Sequence, residues 1–430
     1  MEREHNHDGT IQKVLMLGNG FDLYNHLPTK YIHFLRITSH LAEHRPSNFK
    51  TAGEILISYI QQHNEDGNDA FIEGCYNHHQ DSYADAQIDQ SDLQRLTDLA
   101  KDNPWFTYFN NSISGSDLRE RWVDFETEIS NVIHVLYGFL TTLTLNNNSS
   151  FDPPEDPLVN DLIRDFGGFL IRTEDNPTID SYTLNPDYVY ELPPYSGRFI
   201  VNRKKIFTDL KMHLDALSTA LEIYLKIFVD SITRYAYTDS TKAKFTRPHE
   251  NFNCIINFNY THICESIYGG GIPEIIHIHG QLSDNKNRQK NSRIVLGIPS
   301  DSLDDEGNVD TLYIAFKKYY QRTIIGTENK YLSWIVQPNL EYNLHVMGHS
   351  LDVIDADIIK ELFSKAIKIT IYYHAPDESE EGKDIAEAKG NHVRNLIRIY
   401  GRTEYEQMLR KKGLNYKPDK DLFQDINSTV

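Results

Sequence analysis

The chain has 430 residues, room for roughly two or three domains or for one enlarged by insertions. Lys plus Arg number 43 against 62 Asp plus Glu, a formal charge of −19 that repels phosphate backbones and anionic lipid and argues against nucleic acid as a partner. The hydrophobic fraction of 39% is low, but 26 Tyr, 20 Phe and 3 Trp exclude a disordered chain and leave a folded core carrying polar loops.

Residues Met1 to Lys13 are polar, with no apolar run of a secretory signal, so a cytoplasmic protein is expected. Val14–Leu17 is a short all-apolar run that stops at Gly18-Asn19-Gly20, the pattern of a buried parallel strand feeding a tight turn. A helix is expected after Pro28, and from Lys30 to about Tyr237 the pattern is mostly helical. Apolar residues three and four apart mark two long amphipathic helices, one through Trp122, Phe125, Ile129, Val132 and Ile133, the other through Leu214, Leu217, Leu221, Leu225 and Phe228. Val132 to Leu145 is too short for the ~20 apolar residues that span a bilayer, so it is expected as a buried helix and no membrane is expected. Asn64 to Asp102, Asn146 to Pro157 and Asn176 to Gly197 have the composition of weakly ordered surface loops.

After about residue 250 short apolar strands alternate with helices. Strands are expected at Cys254–Phe258, Glu274–His279, Arg293–Gly297, Tyr342–Met347 and Ile367–His374, and helices at Thr311–Arg322, Ala356–Ala366 and Ile385–Tyr400. That alternation argues an α/β fold with a mainly parallel, Rossmann-like sheet. The domains expected are a sheet domain from residues 1–35 and 250–405, a mostly helical insertion over 36–249, and a C-terminal tail over 406–430. Cys75, Cys254 and Cys264 lie far from any CxxC spacing, which excludes a four-thiolate zinc module and argues for a reducing compartment.

In an open α/β sheet, ligands bind beyond the carboxyl ends of the strands, and four strand ends carry polar residues. At Gly18-Asn19-Gly20-Phe21-Asp22 two glycines permit a tight turn and close approach to an anion, but Leu23 stands where a dinucleotide fingerprint has its third glycine. Asp22 either caps the helix or reaches a ribose hydroxyl. Asn257 falls within the second strand and Asn259 at its end, where an amide can orient a water or a sugar hydroxyl or simply cap a turn. His277 and His279 fall on one strand face by alternation; His279, before Gly280, is the natural general base, whereas His277 is a structural histidine or a metal ligand lacking a completing set. Gly348-His349-Ser350 follows the strand Tyr342–Met347, and Asp352 occupies the place of the second glycine of a serine-hydrolase elbow, so phosphate contact is the better functional reading. The acids Asp352, Asp355 and Asp357 alternatively charge the next helix N-terminus.

The order and spacing of these motifs resemble the NAD-binding domain of sirtuins and the sirtuin-like NADase domains of bacterial anti-phage systems. More specifically, Gly18 to Asp22, Trp122-Val-Asp124-Phe-Glu126, Phe258 to Thr261, His277 to Gly280 and Gly348 to Leu351 resemble the bacteriophage abortive-infection AbiH family. The sirtuin resemblance implies a sirtuin-type sheet with a nucleotide site from Gly18, Asn19, Gly20, Asp22, Tyr260, Gly348 and Ser350. Gly18 and Gly20 would face the pyrophosphate, Asn259 would position the ribose and attacking water, His279 would act as base, and Gly348 and Ser350 would hold the adenosine side. Glu126 and His277 are further candidate pocket residues; Asp124 and Glu126 sit about 200° apart on a helix, so only one faces a site.

What the resemblance implies is an anti-phage effector that hydrolyses NAD as substrate, with no metal. Such an activity harms its host, so a homo-oligomer or the helical insertion is expected to restrain it until a phage-derived or system-encoded protein releases it. Two alternatives stay open: a nucleotide sensor that binds NAD or ADP-ribose and switches assembly without chemistry, and a metal-dependent nuclease on Asp22, Asp124, Glu126 and Asp355.

Overall fold

The structure, a computed structural model, describes residues 11–44, 46–63, 70–113, 125–146, 149–172, 181–192, 198–233, 245, 248, 251–268, 274–283, 293–299, 311–374 and 383–423. The chain divides into two compact units. One comprises Met1–Leu27, Thr233–Gln281 and Gly326–Val430; the other comprises Pro28–Ile232 and Leu282–Ile325.

The first unit holds a six-stranded sheet of β1 (Gln12–Leu17), β2 (Cys254–Asn257), β3 (Glu274–His277), β4 (Tyr342–Met347), β5 (Ala366–Tyr373) and β6 (Asn415–Pro418). Its spatial order is β3-β2-β1-β4-β5-β6 and every pairing is parallel. That is the strand order of a Rossmann sheet, in which the connections diverge to opposite sides between β1 and β4. Strands buried on both faces need near-continuous apolar sequence: Val14, Met16, Ile256, Ile276, Leu344, Val346, Ile369 and Ile371 line one face, and Leu15, Leu17, Ile255 and Met347 lie on the other. The helix Ala356–Lys365 seals the core with Ile358, Ile359, Leu362 and Phe363, spaced so that one helical face carries all four. Each such side chain contributes about 1.5–3 kcal/mol on burial.

Register decides where the motifs meet. Leu17 pairs with Asn257 on one side and Met347 on the other, and Asn257 pairs with His277. Four strands therefore end in one row, and the residues that follow them, Gly18, Phe258, Ile278 and Gly348, emerge side by side.

The second unit is mostly helical. Phe125–Thr142 buries Phe125, Ile129, Val132, Ile133, Leu136 and Leu140, and Arg203–Leu225 continues into a π-helical turn at Lys226–Asp230. Trp122 and Asp124 lie outside the described residues. Two small antiparallel pairs, Ser150–Phe151 with Tyr182–Thr183 and Val189–Glu191 with Phe199–Val201, form where weakly ordered loops were expected, the last strand lying just beyond Gly197.

Three sequence expectations change. Asn64 to Asp102, expected as loop, carries helices at Ala70–His78, Gln80–Asp85 and Gln90–Ala100, because Ile72, Cys75, Tyr83, Leu93, Leu96 and Ala100 are buried at helical spacing among polar residues. Arg293–Gly297 is no strand: the Gln321 side chain bonds the Leu296 amide (3.1 Å) and carbonyl (2.9 Å) as a neighbouring strand would, and only Ile298 forms a bridge, to Lys317. Beyond residue 405, the helix Arg402–Lys411 and β6 belong to the sheet unit, whereas residues 28–35 and 282–325 fall in the helical unit. No helix among the described residues is long and apolar enough to cross a membrane.

Candidate functional site

The β1 and β4 ends are locked together by backbone. The Gly18 amide donates to the Met347 carbonyl (3.0 Å) and the Gly20 amide to the Gly348 carbonyl (2.8 Å). A Cβ on Gly18 would lie 2.6 Å from His349 Cα, and one on Gly20 would lie 2.6 Å from Gly348 Cα. Gly348 has φ +68° and its missing Cβ points at the Phe21 amide. The close approach that Gly18 and Gly20 permit is thus to the chain itself, and both amides are spent on it. Asn19 is half-buried and Ser350 is exposed, its carbonyl held by Asn395 Nδ2 at 3.0 Å. His392 Nε2 donates to the His349 carbonyl at 3.1 Å, so the helix Lys383–Tyr400 fixes the turn after β4 from its other side. Burial holds the His392 pKa below its ordinary value, although its bond to that carbonyl opposes the shift.

Asn259 is fixed at almost every polar atom. Its amide nitrogen Nδ2 donates to Asp22 Oδ1 (2.7 Å) and to the Gly18 carbonyl (3.1 Å). Its backbone amide donates to Asn257 Oδ1 (2.9 Å), and its carbonyl accepts from His277 Nδ1 (3.0 Å). Asp22, 1% exposed within the helix Asn19–Tyr24, takes the Thr261 hydroxyl on Oδ2 at 2.7 Å. The Asp22 carboxylate therefore bonds Asn259 and Thr261. Tyr260, between them, is half-buried.

The two histidines of the third motif diverge, contrary to the shared face that strand alternation implies. β3 ends at His277 and Ile278-His279 form a turn, so the alternation stops there. His277 Nε2 meets Glu265 Oε1 at 2.8 Å, a structural pairing. Burial pushes the Glu265 carboxyl up, but the His277 hydrogen bond and charge outweigh it and hold the group below the usual glutamate value.

His279, 4% exposed, places Nε2 2.9 Å from Asp355 Oδ1. A carboxylate only accepts, so Nε2 carries the hydrogen and Nδ1 is the basic nitrogen of the neutral ring. Asp355 Oδ2 lies 3.5 Å from His349 Nε2, while His349 Nδ1 accepts the Leu351 amide at 2.9 Å. That amide fixes His349 in the Nε2–H tautomer, directed at the same carboxylate. Phe258 packs edge-on against both rings, at centroid distances of 5.3 Å from His279 and 4.4 Å from His349. Asp355, singled out from sequence only as a helix-charging acid or a metal ligand, is the central carboxylate of this cluster. Its sequence signal was position alone, five residues beyond Ser350 at a helix start.

Glu126 belongs to the helical unit, where its carboxylate bonds the buried Lys318 ammonium at 2.7 Å. Among the described residues no group of three His, Cys, Asp or Glu side chains is arranged to hold a metal ion.

A parallel sheet in Rossmann order, interrupted by a helical unit and carrying Asn259, His279 and Asp355 beside the point where its connections diverge, defines a Rossmann-like α/β protein with its polar cluster at the topological switch point. The model of the family described as bacteriophage abortive infection AbiH matches residues 14–373, from β1 to the end of β5, and the chain belongs to that family. Its role is accordingly anti-phage abortive infection. No curated protein and no solved structure matches the chain.

Proposed function

We propose that this abortive-infection protein hydrolyses NAD at the bond between nicotinamide and ribose. The observation that carries the reading is the His279–Asp355 pair, an imidazole with its Nε2–H on a buried carboxylate at 2.9 Å, at the strand ends where open α/β sheets bind ligands. The resemblance of the Gly18, Asn259, His279 and Gly348 motifs to sirtuin-like NADases supports the same substrate.

His279 Nδ1 accepts a proton from the attacking water as that water bonds to C1′ of the nicotinamide ribose. The N-glycosidic bond breaks with its electron pair passing to the ring nitrogen. Because that nitrogen is cationic in NAD, nicotinamide leaves neutral and needs no general acid. The products are ADP-ribose, nicotinamide and one proton, which His279 returns to solvent. Asp355 orients the ring and stabilises the imidazolium that forms, a charge-assisted bond worth about 1.5–3 kcal/mol. Asn259 holds the nucleophile or the ribose in line, and such orientation lowers the barrier by avoiding loss of freedom at the reacting step.

The test is incubation of the purified chain with NAD, alone and with lysate from phage-infected cells, following nicotinamide and ADP-ribose by chromatography. Release that resists EDTA and is lost in Asn259→Ala and His279→Ala is the expected result. Undiminished release in His279→Ala overturns the assignment of the base, and no release under either condition overturns the hydrolysis.

A further inference from the structure

The Asn259 amide has a determinate orientation. Turning it over would set Oδ1 against the Gly18 carbonyl, which has no hydrogen to donate, and against the Asp22 carboxylate, which when ionised only accepts. Both Nδ2 hydrogens are therefore committed inward, and Oδ1 is the polar atom of Asn259 that makes no hydrogen bond among the described residues. An oxygen in that state accepts and cannot donate. It recognises a hydroxyl or an amine of a ligand and repels a phosphate oxygen, the more so with the Asp22 charge directly behind the amide.

We infer that Asp22 is a positioning residue that fixes Asn259 as an acceptor for a sugar hydroxyl of the ligand, so that the ribose and not the diphosphate lies against the β1–β2 end of the site. This rests on the proposed NAD reading for the ligand but not for the orientation. It also gives the negative charge at position 22 a role: the carboxylate is the acceptor that aims the amide, while the Gly18 and Gly20 amides already bond the Met347 and Gly348 carbonyls. Thr261, on the other carboxylate oxygen, keeps Asp22 from turning away.

Two readouts test it separately. In protein labelled with 15N-asparagine, the Asn259 side-chain amide is assigned by its disappearance in Asn259→Ala. Its hydrogens should exchange slowly in the wild type, rapidly in Asp22→Ala and at an intermediate rate in Asp22→Asn. The second readout is calorimetric affinity for NAD and for the analogue lacking the 2′-hydroxyl of its nicotinamide ribose. The wild type should prefer NAD by roughly 3- to 10-fold, the worth of one neutral hydrogen bond. Asp22→Ala should bind the two alike, and Asp22→Asn should lie between, deciding the point if the alanine variant does not fold. Unchanged amide protection in the Asp22 variants overturns the positioning role. Protection that changes as expected while the wild type binds neither nucleotide leaves positioning standing and overturns the NAD reading. Equal binding of NAD and the analogue by the wild type overturns the hydroxyl contact.

Discussion

Gly348→Ala tests the backbone lock on which the site is built. At φ +68° an L side chain costs about 1–2 kcal/mol of local strain. The new Cβ would also meet the Phe21 amide nitrogen and would lie 2.6 Å from the Gly20 carbonyl carbon, and both are backbone atoms without a rotamer to escape into. Forcing them apart adds about 1–3 kcal/mol of overpacking, and separation of the strand ends weakens the Gly18–Met347 and Gly20–Gly348 hydrogen bonds at about 1 kcal/mol each. A loss of about 3–6 kcal/mol is expected, a large part of the 5–15 kcal/mol typical of a folded domain. Urea unfolding followed by tryptophan fluorescence and circular dichroism measures it. Gly390→Ala, in a helix with nothing within 4 Å of the added carbon, is the internal control and should stabilise by about 0.5–1 kcal/mol. A Gly348→Ala protein within about 1 kcal/mol of wild type would refute the interlock, and with it the placement of His349 and Asp355 beside His279.

Other expectations concern single residues. Asp355→Asn should reduce NAD turnover by roughly 10- to 100-fold with little change in KM, because the bond it weakens strengthens as the imidazolium forms; equal turnover would remove Asp355 from the mechanism. Lys318→Met should destabilise by about 3–5 kcal/mol, since it removes the ammonium that the largely buried Glu126 carboxylate meets at 2.7 Å, and Lys318→Met combined with Glu126→Gln should recover most of that in the same unfolding assay. Burial, with the charges of Lys30 and Arg36, pushes His33 down to about 3, while an unfolded histidine titrates near 6.5. Between those values the unfolded chain binds the extra proton, so this contribution to stability is full above about 6.5 and falls as pH drops toward about 3. His33→Phe, keeping the stack on Phe71, should flatten the fall in stability on acidification, and an unchanged pH slope would contradict the buried neutral ring.

Elements whose physics is local were legible in the chain. Val14–Leu17 read as a buried parallel strand because both its faces demand apolar residues, Tyr342–Met347 read as one of the short, mainly apolar strands although Asn343 and His345 interrupt one face, and the strand-helix alternation led to the parallel sheet. β6 was not legible: Asn415-Tyr-Lys-Pro418 is a polar edge strand with one partner and no apolar run to betray it. The helices between Ala70 and Ala100 were hidden because acidic and amide side chains on their exposed faces dilute a pattern carried by few buried residues. Gln321 standing in for a strand could not be read from residues 293–297 at all. At the site, the strand-end rule located Asn259 and His279, but the partners that orient them depend on tertiary approach. Asp22 lies 237 residues from Asn259 and Asp355 lies 76 from His279, and no local spacing encodes either pair. Glu126, chosen from a helical motif, bonds the buried Lys318 within the helical unit, a pairing that no local spacing encodes.

The most direct test of NAD hydrolysis as the means of abortive infection is the NAD content of phage-infected cells carrying the wild-type protein or His279→Ala at matched abundance. NAD should collapse after infection in the wild-type cells alone, with nicotinamide and ADP-ribose rising in step. Growth arrest and phage exclusion with NAD unchanged in the wild-type cells would contradict the proposed chemistry.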